Sequence, residues 1–162
     1  MGGVSTLIRQ IQAQFSELEL EALIFHSKFT VDKHVVKKNN RPIFTRGRKP
    51  FIGKSDKLIS QEKMLMWSFR CAASQLEVQS GYEGPVHAIY HFHFGPAESR
   101  SYKLTDLSNL FEIVSDSLEA AEVIKNDKQI QSFDGSRKYR SKTTFLEVFL
   151  LKFNEDTDLT HH

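Results

Sequence analysis

Four polar side chains recur at helical spacing in KLTDLSNLFEIVSDSL, residues 103–118: Asp106, Asn109, Glu112 and Asp116. Positions three and four apart lie over one another on a helix, so the four form one stripe. Leu107, Leu110, Phe111, Val114, Leu118 and Ala121 form the apolar arc opposite. Carboxylates on the outer face of an amphipathic helix are commonly just solvated, and on spacing alone that is the stronger reading. The same groups are also the oxygen ligands that a hard dication prefers, and Asn126-Asp127 follows shortly after the helix.

A second cluster has the opposite sign. Between Lys33 and Lys63 stand ten cations, including Lys37, Lys38, Arg41, Arg46, Arg48 and Lys49, against only Asp56 and Glu62. Asn39, Asn40, Phe44 and Phe51 are interleaved with them. Lys and Arg neutralise phosphates and amide side chains bond phosphate oxygens or base edges, so the segment reads as a nucleic-acid contact rather than only a solvated loop. From Lys103 to Asp127 the balance reverses, with six acids against Lys103 and Lys125. A basic surface beside an acidic pocket is what phosphodiester chemistry requires, because cations hold the backbone and carboxylates hold a metal.

Two further residue sets carry less. His87, His91 and His93 share one face of VHAIYHFHF, and two such imidazoles could bind zinc. No matching Cys or His cluster appears elsewhere, so a polar sheet face or hydrogen-bonded histidines is the simpler reading. Cys71 is the single cysteine, which excludes an internal disulfide, suits a reducing compartment and sits in an apolar helical pattern.

The elements that must position these residues follow from periodicity. The 162-residue chain, 40% hydrophobic and 26% charged, is expected to be one soluble domain. Val4, Leu7, Ile8, Ile11, Phe15 and Leu18 predict an added amphipathic helix over residues 1–20. EALIFHSKFTV is a strand, and the basic segment after it, punctuated by Arg-Pro, Arg-Gly and Lys-Pro, an extended loop or hairpin. A long helix is expected from about Lys57 to Gln79, ended by SGYEGP. VHAIYHFHF is a strand, 97–105 a polar loop, 106–121 the acidic helix, KQIQSF a short strand, Asp134-Gly135 a turn and TTFLEVFLLKF the last strand. The order α-β-α-β-α-β-β, with a right-handed strand–helix–strand crossover around the acidic helix, predicts an α+β fold on a mixed sheet. Residues 154–162 read as a frayed tail, and neither a signal peptide nor a membrane span is expected.

DLSNLFEIVSDSLEAAEVIKND resembles the core of the RusA family of Holliday junction resolvases, small endonucleases mostly encoded by phages and prophages. Asp106, Asn109, Asp116, Leu118 and Asp127 fall where that family places its acids, its Asn, its Asp-x-Leu and the acid of the following loop. VVKKNNRPIFTRGRKPFIGKSDK resembles the family's basic Lys-Lys-Asn segment, and the likeness covers roughly residues 22–153. Two positions depart from it: Ser108 stands where the family has a second Asp, and Glu112 where it has a Lys. Ser108 and Glu112 are i and i+4, so Glu112 can return the missing carboxylate, as a Ser-Asn-x-x-Glu subtype. Lys103 and Lys125 are the candidates for the missing positive charge.

The resemblance implies a Mg²⁺-dependent endodeoxyribonuclease that resolves four-way junctions or other branched DNA by paired, symmetric nicks. Asp106, Glu112 and Asp127 would hold the metal. Asn109 would orient a carboxylate or phosphate, and Asp116 and Ser108 would stand behind them. Lys37, Lys38, Asn39, Asn40, Arg41, Arg46, Arg48 and Lys49 would grip the DNA. Paired cuts imply a twofold homodimer, and the setting would be cytoplasmic, a host's cytoplasm if phage-encoded. Two rival readings stand beside it: a dimeric branched-DNA-binding protein without nuclease chemistry, and an accessory DNA-binding factor with no junction preference. Asp106 and Asp127 flank opposite ends of a helix, so they meet only if the loop 121–126 folds back or a partner's helix runs antiparallel, and paired cutting favours the partner.

Overall fold

Alternation in VHAIYHFHF puts Val86, Ala88, Tyr90, Phe92 and Phe94 on one side of a strand and His87, Ile89, His91 and His93 on the other. The computed structural model, which describes residues 23–30, 43–46, 49–52, 56–75 and 81–153, makes this segment the axis of the fold. It is β4, Val86–Phe94, preceded by β1 (Leu23–Thr30), the pair β2 (Ile43–Arg46) and β3 (Lys49–Ile52), and helix α1 (Asp56–Gln75). After it come α2 (Ser99–Leu104), α3 (Leu107–Ala120), β5 (Ile130–Ser132), β6 (Arg137–Arg140) and β7 (Phe145–Lys152). The helix expected over residues 1–20, the tail 154–162 and much of the basic segment lie outside the described residues.

The fold is α+β on a mixed five-stranded sheet, ordered β1-β7-β4 and then β5 and β6 one after the other along the remaining edge of β4. β7 runs antiparallel to both β1 and β4, and β5 and β6 run parallel to β4. Parallel pairing of β4 with β5 is what the crossover through the acidic helix requires. β2 and β3 form a separate antiparallel hairpin with Arg46 opposite Lys49, within the basic segment.

One face of the sheet carries the main core. Phe25, Val86, Ala88, Tyr90, Phe92, Phe94, Leu146, Val148 and Leu150 meet Leu65 and Phe69 of α1 and Leu110, Ile113, Val114 and Leu118 of α3. Tyr90, completely buried, shares a hydrogen bond between its hydroxyl and Ser115 Oγ at 3.0 Å, which fixes α3 over the strand. Burial holds that phenol protonated far above its usual range. The opposite face is apolar in part as well: Ile89 pairs with Phe149, His87 with Leu151, and Ile89, Phe149 and Leu151 are buried.

Three local expectations need correction. Residues 97–105 are not a loop: Pro96–Glu98 forms a single 3₁₀ turn, with Pro at its start, and α2 follows directly. Short polar helices of this kind have too few turns to show a periodic stripe. The strand β6 stands where the sequence predicts only a connection, because RKYR has no apolar alternation. Asp134-Gly135 does not reverse the chain, since β5 and β6 run the same way beside β4. Gly135, with φ of 88°, supplies a kink, and Ser136 fills the gap in the ladder by accepting from Tyr90 N–H at 2.9 Å. The reversal comes at 141–144, where the chain wraps the end of β4. Gly95 packs closely there: a Cβ would lie 3.3 Å from the Thr143 carbonyl carbon.

Candidate functional site

The acidic helix is set by its two ends. Asp106 is its N-cap, in extended backbone conformation (φ −78°, ψ 128°), and its carboxylate makes no capping bond. At the other end Val123 N–H donates to Leu118 O (3.1 Å) and Glu122 N–H to Glu119 O (3.0 Å). These are the paired bonds of a Schellman stop, sealed by burial of Leu118 and Val123. The left-handed position that glycine ordinarily fills is Glu122, at φ 61°.

That stop turns the chain back on itself. Asn126 caps a 3₁₀ turn, Asp127–Gln129, in a reciprocal capping box. Gln129 does more than close the box. Its Oε1 accepts from Lys125 N–H (2.9 Å) and Asn126 N–H (2.8 Å), and its Nε2 donates to Tyr82 O (2.6 Å) and Gly84 O (2.9 Å). All four amide bonding positions are used, so the loop is pinned to the segment that leads into β4. Asp127 is thereby held beside the last turns of α3, its N–H donating to Glu119 Oε2 at 3.3 Å.

The result is a group of three carboxylates, Asp116, Glu119 and Asp127, with one ligand oxygen from each within 4.8 Å of the others. Two of them, Asp116 and Glu119, line an open cleft of about 350 Å³ together with Glu62 of α1, Ser117 and Ala120. Arg70 stands at its edge, donating to Ala120 O at 3.4 Å, where a cation suits the end of the helix dipole. Two ligands of one Mg²⁺ lie about 3 to 4 Å apart at a metal–oxygen distance of about 2.1 Å, so these side chains would have to turn inward to share one ion. The all-oxygen chemistry fits a hard dication.

Of the residues singled out from the sequence, Asp127 and Asp116 are brought together. Asp106 and Glu112 are not part of this group. Ten residues of helix separate Asp106 from Asp116, about 15 Å, and Glu112 is exposed one turn short of Asp116. The loop therefore folds back within one chain, as far as Asp116 but not to Asp106. Ser108 is exposed and Asn109 half-buried on the same helix. Arg46 and Lys49 pair on the hairpin, while Lys37, Lys38, Asn39, Asn40, Arg41 and Arg48 lie outside the described residues.

Two further residues lie on or close to the acidic helix. Glu119, one turn beyond Asp116, was legible from the i, i+3 spacing. Lys138 was not, because only the fold brings β6 to the α2–α3 junction. Its Nζ donates to Tyr102 O (2.6 Å) and Thr105 O (2.9 Å), which ties β6 to the backbone that leads into α3. Lys125, by contrast, is engaged by Glu83, whose carboxyl is held below its usual range by the hydrogen bond and charge of that lysine. Lys103 is exposed.

Among the described residues, no helix is long and apolar enough to cross a membrane. Compared with known proteins, the chain matches no family model and no curated sequence.

Proposed function

We propose that this chain is a Mg²⁺-dependent, structure-specific endodeoxyribonuclease of the RusA type, acting as a homodimer on four-way junctions or other branched DNA. The observation that carries the reading is the return of Asp127 to Asp116 and Glu119, which turns a helical acidic stripe and a distant loop acid into one oxygen-ligand group. Asp116, Glu119 and Asp127 are the residues that would hold the ion. A dication held there would supply Lewis-acid stabilisation of the charge that develops on phosphate oxygens during hydrolysis. Arg70 at the cleft edge and the cations of the β2–β3 segment would supply the phosphate contacts that position a strand.

Asp106 has a local role in this arrangement, as the residue that starts α3. Asn caps a helix about as well as Asp, so Asp106→Asn tests chemistry with little cost to the fold.

A second reading is favoured by one feature. Position 108 carries no acid, and Asp106 lies about 15 Å along the helix from Asp116, as suits a branched-DNA binder without nuclease chemistry. A labelled synthetic four-way junction and a matched linear duplex, each incubated with Mg²⁺ or EDTA, separate the two. Paired nicks on the junction in Mg²⁺ alone are expected, with Asp116→Asn and Asp127→Asn losing cleavage at least a hundredfold while retaining the junction. Retention without nicks in the unaltered protein would establish the binder, and equal retention of both substrates would leave only a general DNA-binding factor. Should Asp106→Asn also be inactive, mixing it with Asp127→Asn subunits decides whether a second copy supplies Asp106. Nicking returns for a site shared between copies and stays absent for a site within one chain.

A further inference from the structure

The face of the sheet away from α1 and α3 holds a second, chemically different ligand set. β4 and β7 place His91 directly opposite Glu147, with His93 two residues along β4. One ligand atom from each of His91, His93 and Glu147 lies within 4.8 Å of the others. By the alternation of β4 this group lies across the sheet from Tyr90 and hence from the carboxylates of α3. We propose that His91, His93 and Glu147 form a binding site for a borderline transition-metal dication, Zn²⁺ in particular, independent of the Mg²⁺ chemistry proposed above.

Hydrogen bonding around the group sets which ring nitrogens carry the lone pairs that a metal would take. His91 Nε2 lies 3.2 Å from Gly135 O, which can only accept, so Nε2 carries the proton and Nδ1 of the neutral ring carries the lone pair. His93 Nδ1 is 2.5 Å from Ser141 Oγ, which leaves Nε2 as its ligand atom when the serine accepts. His26 Nε2 donates to Glu147 Oε2 at 2.8 Å and so orients the carboxylate, in the manner of the outer partners of metal ligands. The His93 ring is stacked between Phe145 (centroids 3.9 Å) and Tyr139 (4.8 Å), which holds its plane.

The protonation states already suit a metal. Burial, and then the charge of neighbouring His91 and Lys28, push His93 down to about 4, and burial lowers His91. Glu147 lies below its usual range: burial opposes this, but the hydrogen bond and charge of His26, with Lys28 and His91, outweigh it. Two neutral imidazoles and one carboxylate are thus present at pH 7 with no proton to release. A tetrahedral site at about 2.0–2.1 Å from the metal needs ligand atoms about 3.3 Å apart, so both imidazoles as well as Glu147 must turn inward to bind one ion. The group is partly open, with Glu147 17% exposed, so an ion can enter. Lys28 pairs with Glu147 across β1 and β7, and Arg137 with His91 across β4 and β6. Their positive charges weaken the site but do not replace a ligand; each cation lies over a ring, Phe145 and Tyr139 respectively.

The experiment is a Zn²⁺ titration of the full chain against a chromogenic chelator in excess Mg²⁺, with His161 and His162 replaced by Ala to remove the terminal imidazole pair. One equivalent of Zn²⁺ per chain is expected, lost in Glu147→Gln and His93→Gln and unchanged in Asp116→Asn. His26→Gln should weaken binding about 10–100-fold, and Lys28→Gln should tighten it, which also reads the site if Glu147→Gln fails to fold. No uptake by the unaltered ligand set, or uptake indifferent to both Glu147→Gln and Lys28→Gln, overturns the proposal and leaves a hydrogen-bonded histidine network.

Discussion

At the scale of single residues, Asp127 is positioned by a residue with no charge. Asp127 lies beside Asp116 and Glu119 because Gln129 spends both ends of its amide on four backbone groups. Replacing Gln129 with Ala leaves two N–H donors and two carbonyls to find water, at a cost of about 2 kcal/mol since the site is only half-buried. Its effect on function should exceed that cost. At saturating junction DNA, Gln129→Ala should cleave at least tenfold more slowly with unchanged junction affinity, because it disturbs the placing of Asp127 and no DNA contact. Equal turnover in Gln129→Ala and the unaltered chain would mean that Asp127 needs no fixed position. The same residue shows where sequence reading stops. Asp127 could be singled out by its type and place after the helix, whereas Gln129 inside KQIQSF looks like any strand polar residue until the fold brings Tyr82 and Gly84 to it.

At the scale of elements, α3 is terminated by a stop whose left-handed residue is Glu122 rather than glycine. A side chain in that conformation costs roughly 1–2 kcal/mol, of which glycine's extra freedom in the unfolded chain returns part. Glu122→Gly should therefore stabilise the protein by about 0.5–1 kcal/mol, read as a higher denaturant midpoint with unchanged slope. A loss of stability would show that the Glu122 side chain makes a compensating contact. The elements most legible in the sequence were those whose period matches one buried face. VHAIYHFHF is β4 from end to end, and the apolar arc of the acidic helix is the face that α3 buries, with Ile113 added. β6 and α2 were hidden, because RKYR and SRSYKL carry no such period and are held by Lys138 and by pairing to β4. The carboxylate group was half legible for a related reason. Helical spacing relates Asp116 to Glu119, but only the fold-back of the loop decides which end of the helix Asp127 joins.

At the scale of the whole molecule, the sheet divides two kinds of chemistry: carboxylates above the helix-covered face, and imidazoles with one carboxylate on the other. The second set makes stability depend on pH in a direction that can be worked out. His93 in the folded, metal-free chain is held down to about 4 by burial and by the positive charge of His91 and Lys28, against an ordinary value of 6.5. His91 is shifted the same way, by burial first and by Arg137. Between those values the unfolded chain takes up protons that the folded chain refuses, so folding stability falls as pH drops. Above about pH 6.5 both states hold these rings neutral and the contribution is fully present. Glu147 extends the loss to lower pH, because a carboxylate held below its usual range stabilises the fold only while ionised. In EDTA, the denaturant midpoint should thus be flat near neutrality and decline from about pH 6.5 towards pH 4, well before ordinary carboxylates titrate. His93→Gln should make that decline shallower while leaving the steeper loss at lower pH in place. A midpoint constant down to about pH 5 in the unaltered chain would mean that both imidazoles accept protons in the folded state, and that the enclosure of His93 between Phe145 and Tyr139 is not maintained in solution.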